Sequence, residues 1–137
     1  MTNGRVNVGV GLLTMALFMA YGFFLIYLRD FAPGKEEWIA QYSTGAHFET
    51  RLAHVHGNLF ASVNIMLGFV IPSLTAGQPA RRAVSALGLV GLLMPIGILM
   101  EVYLGAPPIF VLIGAASMTA SVSLAGVLAL RGWSRGV

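Results

Sequence analysis

The chain has 137 residues, 57% of them hydrophobic and only 9% charged, whereas soluble domains carry about 25% charged residues, so a bilayer is the expected solvent. The formal net charge of +3 comes from basic residues set singly or as one pair, without the basic stripe that nucleic-acid binding needs. Cysteine is absent, which excludes disulfides, zinc-thiolate sites, iron–sulfur clusters, thiolate haem ligation and the C-x-x-C-H attachment of c-type haem.

A helix needs about 20 apolar residues to span hydrocarbon. The first such run covers 6–28, bounded by Arg5 and by Arg29-Asp30. It is longer than a signal-peptide core of about 7–15 residues, and no convincing cleavage site follows. Next comes a polar loop to about Glu49, in which Trp38 and Tyr42 suit a short helix lying in the headgroups. Further spans are expected over about 50–74, 82–104 and 108–130. Pro72 ends or bends the second, Pro95 kinks the third, and Pro107-Pro108 closes the last loop. The fourth is rich in small residues from Gly114 to Gly126, a composition that favours close helix packing. The expected fold is all-α: one domain, residues 1–137, forming a four-helix integral membrane bundle.

Arg5, Arg81-Arg82, Arg131 and Arg135 lie in segments lacking Asp and Glu, while Asp30, Glu36, Glu37 and Glu49 share the loop after the first span. The positive-inside rule then puts both termini in the cytoplasm, in a multi-pass protein of the inner (plasma) membrane. Trp133 is placed to anchor the cytoplasmic end of the fourth span.

Polar side chains within spans default to functional candidates, because burying them costs several kcal/mol unless they are partnered. Here they are His47, Arg51, His54, His56, Asn58 and Asn64 on or near the second span, and Glu101 and Tyr103 at the end of the third. All but Asn64 fall in the outer half, which suggests a site with lateral access for apolar molecules. His54 and His56 are about 200° apart on a helix and cannot share a face. His54 aligns with His47, Arg51, Asn58, Ala61, Ile65, Gly68 and Pro72, a polar or small stripe expected to face inward. His56 aligns with Leu52, Leu59, Phe60 and Val63, and is expected to face lipid or another subunit.

An inward imidazole is a metal ligand, and the usual haem ligand when cysteine is absent. Gly57, Ala61 and Gly68 would leave room for a flat macrocycle. The competing reading is a histidine hydrogen-bonded to Glu101 or an asparagine. Zinc fits poorly, since His47 and His54 are about 10 Å apart along the axis. The same distance prevents them from holding one iron from both faces, so a bound haem should keep one axial position open. Glu101 and Tyr103, two residues apart, cannot address one pocket from a regular helix. Either the last turn unwinds before Pro107 or one of them serves a subunit interface. Arg51 is the natural partner for Glu101, and Tyr103 also suits the interfacial aromatic belt.

Ala53-His54, followed by Pro72 within Phe69-Val70-Ile71-Pro72-Ser73-Leu74, resembles the second span of the styrene oxide isomerase family. Tyr103, shortly before a Pro-containing loop, is similar to that family's third-span tyrosine. The resemblance implies a homotrimeric four-helix membrane protein with ferric haem b held by His54. It also implies rearrangement of an aryl epoxide such as styrene oxide to an aldehyde, with Tyr103 helping to place the epoxide oxygen. Where the family has an asparagine, this chain has Phe60; Asn58, one turn from His54, is the candidate substitute. The His54-x-His56 pair also resembles small four-helix relatives of haem-copper oxidase subunits, in which His56 could be the ligand. Electron transfer or gas sensing by a membrane cytochrome is therefore the alternative, and a cofactor-free membrane subunit is the third reading.

Overall fold

In the computed structural model, which describes residues 4–133, every regular element is helical. They are α1 (Arg5–Asp30), α2 (Lys35–Ala40), α3 (Gly45–Val70) prolonged by a 3-10 turn (Ile71–Ser73), α4 (Gln78–Gly91), α5 (Leu93–Leu104) and α6 (Ile109–Trp133). Four stretches are long and apolar enough to cross a membrane: Arg5–Asp30, Gly45–Ser73, Gln78–Leu104 and Ile109–Gly132. Arg135 and the side chain of Trp133, with its expected anchoring role, lie outside the described residues.

Two boundaries differ from the expected ones. The second long helix starts at Gly45 rather than near Thr50, because its first turn is packed under α2. The third is broken at Leu92, whose amide bonds back to the carbonyl of Leu89. Pro95 explains the break. It lacks an N–H for the Gly91 carbonyl, and its ring crowds that same carbonyl.

Helix α1 lies along α3, α3 also packs on α5, and α4 and α5 pack on α6. Missing side chains let α1 and α3 approach. A Cβ on Gly11 would sit 2.8 Å from the carbonyl oxygen of Ala61, and one on Gly57 would overlap the Phe18 ring. Near the chain's start, Gly4 adopts φ 70° and meets the backbone of Gly68. Only glycine at both positions allows such an approach.

The apolar core joins Leu67, Ile71, Leu74, Val84 and Ala125. Beside it is a buried polar lattice. Asn7 donates from Nδ2 to Asn64 Oδ1 (3.0 Å) and to the Ser85 carbonyl (3.1 Å), and accepts from the Ser85 hydroxyl. Asn64 donates to the carbonyls of Phe60 and Gly88, and Ser121 donates to that of Val84. Amides and hydroxyls thus tie α1, α3, α4 and α6 together at a level where unpaired polar groups would be costly. The outer surface is greasy, with Leu13, Phe23, Phe69 and Leu130 all exposed, a surface that hydrocarbon tolerates and water does not.

Candidate functional site

Helix α1 ends in a two-pronged ion pair between Arg29 and Asp30 (2.7 and 2.8 Å). The chain then turns through Gly34, at φ 81°, into the short α2. Trp38 of α2 stacks on His47 at 4.8 Å between ring centroids, and His47 donates Nδ1–H to the Trp38 carbonyl (2.8 Å). Tyr42 sets its edge against His47, while the Arg51 guanidinium lies 3.8 Å over the Tyr42 ring and donates to the Tyr42 carbonyl. Together these contacts fasten the α1–α3 connection as a roof over the end of α1 and the start of α3.

Beneath the roof, His54 reaches across to α1 and donates Nδ1–H to the carbonyl of Phe18 (2.8 Å). A carbonyl can only accept, so Nδ1 carries a proton, and the one neutral tautomer compatible with this contact has its lone pair on Nε2. No described group hydrogen-bonds that nitrogen. Gly22 makes the contact possible. It lies one turn past Phe18, and a Cβ there would come within 2.7 Å of His54 Cε1.

His54 opens on a groove of about 780 Å³ between α1 and α3. Met19, Phe23, Ile26 and Val55 form much of its wall, Asn58 lies below His54, and Arg29, Tyr42, His47 and Arg51 form its rim. Asn58 donates one amide hydrogen to the His54 carbonyl (3.0 Å), leaving its second N–H and its oxygen. The groove is mostly apolar, with Arg51 and the Asp30-paired Arg29 among its lining, and both of its imidazoles, His54 and His47, are hydrogen-bonded through Nδ1.

The expected site is therefore only partly assembled. His54, Arg51 and Asn58 come together; Glu101, Tyr103 and His56 do not line this groove. Gly57 and Ala61 leave no room for a macrocycle, because the Phe18 ring and the α1 backbone at Gly11 fill the space beside them. The polar stripe faces α1 rather than the centre of the bundle. Glu101 is not paired with Arg51, whose guanidinium is held by Tyr42, and its Oε1 is buried without a hydrogen-bond partner among the described residues. The last turn of α5 does not unwind: it stays helical to Leu104, so Tyr103 points away from Glu101 and shares a 2.9 Å hydrogen bond with Tyr21. His56 donates Nδ1–H to Leu52 of its own helix (2.9 Å) and turns its ring edge to Phe60.

Among the described residues no three His, Asp or Glu side chains converge as a metal-ion site. No protein family, curated protein or solved structure matches the chain.

Proposed function

We propose that the chain spans a bilayer four times, holds haem b in the α1–α3 groove, and there converts small apolar epoxides to aldehydes. One observation carries this reading: His54, which lines the groove, is held by its Nδ1–H on the Phe18 carbonyl, and its Nε2 has no hydrogen-bond partner among the described residues. Histidines that ligate metals commonly donate their other N–H to a backbone carbonyl, which fixes the tautomer and raises ligand basicity. The groove's volume falls within the roughly 300–1,000 Å³ typical of cofactor and small-molecule sites. The lining suits haem b: the His54 imidazole, apolar walls for the macrocycle, and the Arg51 guanidinium at the mouth for a carboxylate.

When bound, ferric iron would supply a Lewis acid to the epoxide oxygen. The chain's own residues would do the rest. His54 would hold the group through Nε2. Met19, Phe23 and Val55 keep water from the opening epoxide. Asn58 offers its unused N–H to the substrate oxygen. The rearrangement breaks one C–O bond, moves a hydride between adjacent carbons and forms a carbonyl, so it needs no electron donor. Tyr103 would contribute only across a subunit contact, in the homotrimer that belongs to this reading. The same reading puts both termini in the cytoplasm and the protein in the plasma membrane.

Detergent-purified protein, reconstituted with hemin if needed, is expected to show a Soret band and to turn styrene oxide into phenylacetaldehyde without added cofactor. A chain that stays colourless overturns the haem reading. A loaded, readily reduced bis-histidine centre without isomerase activity would favour the membrane-cytochrome alternative.

A further inference from the structure

The stretch Phe69-Val70-Ile71-Pro72-Ser73-Leu74 takes no part in the proposed chemistry. The structure divides it in two. Ile71 and Leu74 are buried in the core, whereas Phe69 is 71% exposed and Pro72 is exposed as well. Phe69 and Pro72 line a second groove, of about 410 Å³, with Arg5, Val8, Gly9 and Gly68, where the start of α1 crosses the end of α3.

This groove has a polar and an apolar end. Arg5 and Pro72 sit at the end of the span; Val8, Gly9, Gly68 and Phe69 lie about one turn deeper. No acidic side chain lines it, and Arg5 makes no ion pair among the described residues. The first turn of α1 has neither an acidic residue nor a side-chain cap, so its amide N–H groups add positive potential beside the guanidinium. Gly9 faces open space, with nothing within 4 Å of where a Cβ would lie. Exposed Arg82 opens the next helix at the same end, which is the side expected to meet anionic lipid.

We propose that this groove binds one anionic phospholipid, its phosphate on Arg5 and an acyl chain along Val8 and Phe69. The proposal rests on the chain spanning a bilayer, and is independent of the haem reading. A lipid is the occupant because the groove orders charge before grease along the span, as a lipid does, and its cation has no protein counter-ion.

Native mass spectrometry of the full chain in detergent, titrated with phosphatidylglycerol or phosphatidylcholine, tests it. Phosphatidylglycerol should be retained preferentially, and Arg5→Gln should lower retention about fivefold, the scale of one basic side chain at a charged membrane surface. Gly9→Phe keeps Arg5, has open space at its Cβ and would fill the groove, so it should abolish retention. Equal loss in Arg82→Gln and Arg5→Gln would mean general charge attraction and overturn the site, as would retention unchanged by Gly9→Phe. A chain recovered without membranes would overturn the bilayer reading itself, whereas a membrane-borne chain that retains no lipid overturns only this proposal.

Discussion

Gly22 decides where His54 can point. The imidazole occupies the volume that a side chain would take at position 22, with its ring carbon only 2.7 Å from a notional Cβ. Gly22→Ala should therefore push the ring off the Phe18 carbonyl and free the tautomer. The expected outcome is weaker haem retention by about 10- to 100-fold, the usual cost of losing a partner that orients a metal ligand, measured by hemin titration of the apoprotein. Helicity by circular dichroism should be unchanged, since alanine is the better helix former. His54→Ala should lose the pigment and His56→Ala should keep it. Both rings have Nδ1 tied to a carbonyl, but only His54 opens on the groove. The reverse pattern in the visible spectra would move the ligand to His56. That His54 differs from His56 was legible in the sequence, because each shares its face with residues of different polarity. The parts played by Phe18 and Gly22 were not, since a backbone carbonyl has no side-chain signature and a glycine in an apolar span looks like ordinary packing.

At the scale of elements, the α1–α3 seam depends on absent side chains. Gly57→Leu would drive a branched side chain into the Phe18 ring. Overpacking of this kind costs about 1–3 kcal/mol and should appear as a lower Tm in detergent. Because the Phe18 carbonyl moves with its helix, His54 should loosen too. The buried lattice is the second tie. Asn7→Ala would remove hydrogen bonds to Asn64 and Ser85 at once. Polar contacts between membrane helices average about 0.6 kcal/mol and reach about 1.7, so a loss near the upper value is expected in chemical unfolding. A fall of a few tenths at most would show that the freed groups find other partners. Hydrophobic run length was enough to read the four long helices. It could not place the start of α3, which extends to Gly45 because His47 is clamped between Trp38 and Tyr42. Nor could it show that Glu101 and Tyr103 would part company on an unbroken turn, since that depends on which helix each meets.

For the whole molecule, the decisive quantity is the sign of charge at each end. In the proposed four-span arrangement the start of α1 and the end of α6 fall on the same side, together with the α3–α4 connection. Arg5, Arg81, Arg82 and Arg131 gather at that end, while Asp30, Glu36, Glu37 and Glu49 gather at the other. The imbalance matters because basic residues flanking short loops resist translocation, whereas acidic residues contribute little. The proposed topology puts the His54 groove, roofed by α2, toward the outer leaflet and the Arg5 groove toward the cytoplasmic one. The native chain has no cysteine, so single substitutions report side without background. Ser43→Cys and Gly77→Cys both fall in exposed connections, on opposite sides of α3. In intact cells a membrane-impermeant maleimide should label the first and spare the second until lysis. The opposite pattern would invert the molecule. It would carry the His54 groove to the cytoplasmic leaflet and take the basic groove away from the leaflet whose anionic lipids it is proposed to bind.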